Sequence, residues 1–297
     1  MSLQVFVLLS VTGLGLAGVY FLIASGLSLI FGLMDVLNLA HGLFFTVGGY
    51  ATWWVMTRFQ WIESLGLRFL VAFLIATVLG LAVGWATERF FVRRFYGDHV
   101  TQILITLGIS LAGVALVGGW FSYDPQTFPV PEFMRQVAVI AGARIPVSRL
   151  LILAISVVLL VGLLAVLRRT RHGLIIRAGV ENRQMVQAMG IDVAKSFTLV
   201  FAVGGGLAAI GGILGGVFFA GVTPEFGLNM LIFAFIVVVI GGLGSVEGTA
   251  LSAVIVGLTQ QFVNFFAGAG VGDLTVVVLL AVTLLLRPQG LLGEVAR

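Results

Sequence analysis

The chain has no cysteine and very little charge. Lys and Arg number 16 and Asp and Glu 12, together 9% of 297 residues, where soluble domains carry about 25%. The missing cysteines exclude a disulfide scaffold and thiolate metal sites. The three histidines, His41, His99 and His172, lie far apart and none has metal-ligand spacing. No G-x-x-x-x-G-K-[S/T] run occurs, so the sequence offers no nucleotide-binding loop of that kind. No Ser/His/Asp or paired-carboxylate arrangement stands out, and an enzyme is not expected. The net charge of +4 is not read as a nucleic-acid footprint, because the basic residues cluster in short loops between apolar runs.

What the chain has is hydrophobicity, at 60% of residues. So much apolar surface cannot be hidden from water, and lipid is the expected solvent. A spanning helix needs about 20 apolar residues. Nine apolar segments stand out, at about 5–31, 39–57, 67–87, 100–121, 148–167, 194–221, 228–243, 248–267 and 272–287. Segment 228–243 is short, and 39–57 is short with a polar start. The expectation is an all-α, polytopic transmembrane helical bundle of about 8–9 membrane segments, with a broken helix near 32–42. One transmembrane domain takes in the whole of 1–297, including the loop 168–195. Residues 1–31 open without a basic n-region, and their apolar run is too long for a signal sequence. They are expected to form the first spanning helix.

Charge bias orients the bundle. Arg89, Arg93 and Arg94 share one loop; Arg168, Arg169, Arg171, Arg177, Arg183 and Lys195 share another; the tail holds Arg287 and Arg297. The positive-inside rule assigns all three to the cytoplasm, which leaves 122–147 and the N-terminus outside. The 40 glycines include small-xxx-small pairs, Gly204 with Ala208, Gly211 with Gly215 and Gly212 with Gly216. Close helix packing is the favoured reading of these pairs over a mobile gate.

Three stretches carry functional information. In Gly32–Gly42, Asp35, Asn38 and His41 interrupt two apolar runs. Polar groups at membrane depth are costly unless they pair or meet water. The glycines at both ends suggest a break in the helix. Either Asn38, His41 and Gly42 border a translocation path, or the stretch is an interfacial turn with Asn38 capping the next helix. The second stretch, Ile176–Gly190, reads as a short amphipathic helix with Met185, Val186 and Met189 as its apolar stripe and Gly190 placed to end it. Such a helix docks into a partner protein's groove or lies on lipid. Glu181 and the thin stripe argue against lipid. The third, GGLGSVEG at 241–248, reads as a tight turn, with Glu247 as the expected cap of a helix N-terminus. No chain of intramembrane carboxylates suggests proton coupling. Energy for active transport would come from a partner, and 168–192 is the natural contact.

The run SGLSLIFGLMDVLNLAHGLFFTVGGY resembles the signature of the branched-chain amino acid ABC importer permeases. So do ITLGISL at 105–111, RRTRHGLIIRAGVENRQMVQAMGI at 168–191, FAVGGGLAAIGGILGG at 201–216, GGLGSVEG at 241–248 and RPQGLLG at 287–293. The blocks span nearly the whole chain; residues 49–50 read Gly-Tyr where many members have Ala-Tyr. The resemblance implies a multi-pass permease of a bacterial or archaeal inner membrane. It implies pairing with a second, homologous permease subunit, two cytoplasmic ATP-binding subunits that carry ATP and Mg, and an external solute-binding protein. No cofactor is expected on this chain. The family's Asn-x-Ala-His-Gly motif falls on Asn38, Ala40, His41 and Gly42. Its coupling helix falls on 177–190, with Arg177, Ala178, Glu181, Asn182, Met185, Met189 and Gly190. The implied function is alternating-access import of branched-chain or related amino acids. The alternatives are a urea or short-chain amide permease of the same family, or a passive small-solute channel.

Overall fold

The computed structural model covers residues 2–35, 37–181, 185–186, 189–190 and 193–293, and for residues 172, 179–181 and 193 the backbone alone. All nine apolar segments form helices: α1 (Leu3–Met34), α2 (His41–Arg58), α3 (Leu65–Ala86), α4 (His99–Phe121), α6 (Val147–Arg169), α8 (Val193–Phe219), α9 (Phe226–Gly241), α10 (Val246–Ala267) and α11 (Val271–Leu286). Two shorter helices, α5 (Glu132–Arg135) and α7 (Arg171–Glu181), lie in the connections. The chain is a polytopic helical membrane protein. Among the described residues, six helical stretches are long and apolar enough to cross a bilayer: Leu3–Met34, Leu65–Phe95, His99–Phe121, Val147–Arg169, Ala194–Phe219 and Val246–Ala267. The helices α9 and α11 have 16 residues each, about 24 Å at 1.5 Å per residue, short of a bilayer core of about 30 Å.

The centre of the bundle is α1 and α8. Their apolar windows are 61% and 78% buried, against 22–28% for the other four long spans, which turn most of their surface to lipid. The glycines of α8 explain how one helix is surrounded on three sides. A Cβ on Gly26 of α1 would lie 2.7 Å from the Gly204 carbonyl oxygen, and one on Gly80 of α3 would lie 2.7 Å from that of Gly205. On a third side, Gly49 of α2 faces Gly212. In lipid, where packing and not water expulsion holds helices together, such backbone approach is the main cohesive term.

The two ends of the bundle differ. At one end α1 begins beside a β-hairpin, β2 (Val137–Ile140) with β3 (Ala143–Pro146). Its two-residue turn has φ +51° at Ala141 and +80° at Gly142, the twist that a tight hairpin needs. A second strand pair, β1 (Gln126–Thr127) with β4 (Gly221–Val222), ties this outer segment to the α8–α9 connection. At the opposite, basic end, α1, α3, α6, α9 and α11 finish and α4, α8 and α10 start.

The break near 32–42 falls later than the glycines suggest. Gly32 lies inside α1, where a Cβ would meet the Gly244 Cα at 2.6 Å; it is a packing residue. The helix stops instead at Asp35, which adopts a left-handed conformation (φ 53°) and donates its N–H to the Phe31 carbonyl at 2.7 Å. The chain then re-enters the bundle, so that the first residue of α2, His41, lies level with Ile23. At its far end α3 runs into a π-helical turn, Thr87–Phe91, and a 3₁₀ turn, Val92–Phe95.

Candidate translocation and coupling sites

The re-entrant stretch encloses its polar side chains: Asn38 and His41, with Ala40, are each 0% exposed, while Leu37 and Leu39 are half-buried. A non-helical backbone at this depth must find partners for its polar groups. The Ala40 N–H donates to Asn38 Oδ1 (3.1 Å), and the His41 N–H donates to the Asn38 carbonyl (3.2 Å). The Leu39 N–H donates to the Thr106 hydroxyl of α4 at 3.2 Å. His41 Nε2 lies 2.9 Å from the Ile23 carbonyl. A carbonyl only accepts, so Nε2 carries the proton. That leaves His41 Nδ1 and Asn38 Nδ2 without a partner among the described residues, although both are buried.

Gly42 marks where two short helices meet. A Cβ there would lie 2.6 Å from the Gly227 carbonyl oxygen in the first turn of α9. The Thr46 hydroxyl accepts from the Gly227 N–H at 3.0 Å and faces the Pro224 carbonyl at 3.5 Å. A side chain of α2 therefore satisfies one of the orphan donors that open α9. Asn38, His41 and Gly42 are thus brought together, at the junction of α1, α2, α4, α8 and α9. Asn38 is not the N-cap of α2: that position is Ala40, which makes no side-chain cap hydrogen bond.

The loop after α6, at the basic end, is the second candidate site. Thr170 opens α7 by accepting the Gly173 N–H on its hydroxyl (3.0 Å), the pattern of an N-terminal cap. Gly173 packs on the last turn of α6, where a Cβ would lie 2.5 Å from the Leu167 Cα. The helix therefore starts five residues before the expected Ile176. Ile176 is buried, Ala178 half-buried and Arg177 exposed. Glu181 ends α7, and Asn182 lies outside the described residues. Beyond it, the Met189 N–H donates to the Met185 carbonyl (3.1 Å), and Gly190 has φ +78°, as a helix-ending glycine should. The apolar stripe splits. Val186 is 3% exposed, whereas Met185 and Met189 are 63% and 70% exposed.

Residues 9–286 match the family described as "Branched-chain amino acid transport system / permease component". The chain belongs to this family. Three similar proteins are branched-chain amino acid transport permeases by name. BraD of Pseudomonas aeruginosa is 28% identical over 292 residues, 96% of this chain and 94% of that one. LivH of Salmonella typhimurium is 25% identical, covering 95% and 94%. A probable LivH of Methanocaldococcus jannaschii is 26% identical, covering 92% and 88%. No solved structure matches. The permease is accordingly a multi-pass membrane transport subunit.

Two features of the permease were not read from its sequence. One is the stripe Gln102, Thr106 and Ser110, all buried on the α4 face turned inward. Its signal was available as polar residues at i, i+4 and i+8 of an apolar helix. The other is the cleft of about 580 Å³ between α7 and the α9–α10 turn, lined by Ile176, Arg177, Gly244 and Val246 among others. Arg168 and Glu247 form an ion pair beside it. Glu247 thus sits in the first turn of α10, while Ser245 is the cap, accepting the Gly248 N–H at 3.0 Å.

Proposed function

We propose that this permease is the membrane-spanning subunit of an ABC importer for branched-chain or related amino acids, driven by ATP and Mg held on partner subunits. Its basic end faces the cytoplasm, by the positive-inside rule. A second permease subunit, two ATP-binding subunits and an external binding protein complete the assembly. The names of the relatives support the substrate class. The observation that carries the reading is the split stripe. Val186 anchors the segment to the bundle while two large apolar side chains, Met185 and Met189, stand out at the basic end. Exposed methionines on a fixed turn suit a groove in another protein.

From that segment a push has a short physical route. α7 lies on the last turn of α6 through Gly173, and Arg168 of α6 holds Glu247 of α10. The α9–α10 turn touches α1 through Gly244 and Gly32. At the far end of α9, Gly227 rests on Gly42. Parting of α2 from α9 would expose Asn38 and His41, whose unmatched donor and acceptor are suited to a zwitterionic substrate or the water around it. That is a two-state rearrangement of packed helices.

The test is leucine uptake into vesicles containing the complete assembly. ATP-dependent accumulation is expected, abolished by Met185→Glu with Met189→Glu. Equal uptake with and without ATP would support a passive channel and overturn the proposal.

A further inference from the structure

A cleft of about 490 Å³ opens on the lipid-facing side of the bundle, between the end of α3 and the start of α8. It is lined by Trp85, Arg89, Arg93, Lys195, Thr198 and Leu199. We propose that it binds the headgroup of an anionic phospholipid, the phosphodiester between Arg89, Arg93 and Lys195, with Trp85 and Leu199 against the glycerol and upper acyl chains.

Position, charge and shape each contribute. α3 is an apolar span with most of its surface turned outward, and the cleft sits where that span ends. Trp85 is 45% exposed there, and the neighbouring Phe90 and Phe91 are 52% and 48% exposed. Aromatic side chains of this kind mark the bilayer's interfacial level. Three basic side chains, Arg89, Arg93 and Lys195, line the cleft, and Glu88 is paired with Arg93 behind them. Glu88 is fully buried and holds Arg93 by two hydrogen bonds, Nε to Oε1 at 3.0 Å and Nη2 to Oε2 at 3.2 Å. Arg93 Nη2 also donates to the Thr198 hydroxyl at 2.5 Å and the Ala194 carbonyl at 3.4 Å. The guanidinium is therefore fixed across the α3–α8 seam before any ligand arrives. Tyr96 donates to the same carboxylate, and burial together with that contact pushes its hydroxyl above the usual tyrosine range. The π-helical turn at Thr87–Phe91 supplies the geometry, because its extra residue re-aims the chain so that Glu88 points inward and Arg89 outward. A basic pocket between spanning helices at the headgroup level, open to lipid and walled by apolar side chains, fits an anionic lipid better than a soluble anion.

The full-length permease is delipidated in detergent and titrated with palmitoyl-oleoyl phosphatidylglycerol. Binding is read by native mass spectrometry and by quenching of Trp85 with the brominated lipid. Phosphatidylglycerol should bind more tightly than phosphatidylcholine of the same chains, and inorganic phosphate should not displace it. Each charge removed near a headgroup costs about fivefold in affinity. Arg89→Gln should therefore weaken binding about fivefold, Arg89→Glu about 25-fold, and Arg89→Lys should restore it. Trp85→Phe should remove the saturable, phosphatidylglycerol-specific part of the quenching, leave the background from the exposed Trp54, Trp61 and Trp120, and preserve the binding. Arg287→Gln, at an exposed position on the end of α11, should change nothing. Equal binding of the two lipids, or equal loss in Arg287→Gln, would leave only diffuse surface charge and overturn the proposal. Displacement by inorganic phosphate would overturn it in favour of a soluble-anion site. Displacement by the ATP-binding or second permease subunit would overturn it in favour of a protein interface.

Discussion

Replacing Gly42 by alanine tests the junction between α2 and α9. The added Cβ would lie 2.6 Å from the Gly227 carbonyl oxygen, 2.9 Å from its carbon and 3.2 Å from the Leu228 nitrogen. All three are backbone atoms, so no side chain can swing aside. Reaching an ordinary 3.4 Å separation requires the helices to part by about 0.8 Å, in a close-packed interior that resists such shifts. Overpacking of this kind costs about 1–3 kcal/mol. The same shift would stretch the bond between the Gly227 N–H and Thr46 Oγ1, now 3.0 Å, to about 3.8 Å, beyond hydrogen-bond range. Its loss leaves a buried donor unpaired, at about 1 kcal/mol or more. The sum is about 2–4 kcal/mol. Denaturant unfolding in bicelles, followed by tryptophan fluorescence, measures it. Gly162→Ala in α6 is the control, since a Cβ there meets nothing within 4 Å; it should be neutral or stabilising by up to about 1 kcal/mol, as alanine favours helix. Gly42→Ala within about 0.5 kcal/mol of that control would refute the close approach of α2 and α9.

Other outcomes follow from the same geometry. Thr106→Val removes the acceptor for the half-buried Leu39 N–H and should cost about 1 kcal/mol, with Thr106→Ser restoring most of it in the same unfolding assay. Glu88→Gln strips Arg93 of its buried carboxylate partner; a fully buried pair would lose about 3–5 kcal/mol, and the partial exposure of Arg93 should reduce this to about 2–3. Arg168→Gln breaks an ion pair whose partners are 61% and 49% exposed, so stability should change by less than about 1 kcal/mol, and any larger fall in ATP-dependent uptake than in stability would mark the pair as part of the transmission route. Replacing Arg177, Glu181 and Gly190 together should abolish ATP-dependent uptake by the assembled importer while leaving the isolated permease folded.

Element boundaries were legible wherever hydrophobicity ran unbroken: the segments expected at 100–121 and 248–267 became His99–Phe121 and Val246–Ala267. What stayed hidden depended on partners distant in sequence. The pairing of Gly204 with Gly26, or of Gly205 with Gly80, is set by which helices neighbour α8, and spacing along one helix reports only that some close neighbour exists. Gly32 looked like a helix breaker because its contact, Gly244, lies more than 200 residues away. The motif Asn38–Gly42 was visible as costly polar groups in an apolar run. Its enclosure was not, since it depends on Thr106 and on the start of α9. The stripe of Met185, Val186 and Met189 read as one face; the fold buries Val186 and leaves Met185 and Met189 largely exposed. The β-hairpin carried a weak Ala-Gly turn signal, and its pairing became apparent only with the register.

The absence of native cysteine allows the central reading to be tested by single-cysteine chemistry. Met189→Cys in the complete assembly should react with a membrane-impermeant maleimide only from the cytoplasmic face, and should cross-link to an ATP-binding subunit. Reaction from the external face, or full ATP-driven leucine uptake with no cross-link to that subunit by any reagent placed at 185 or 189, would contradict it.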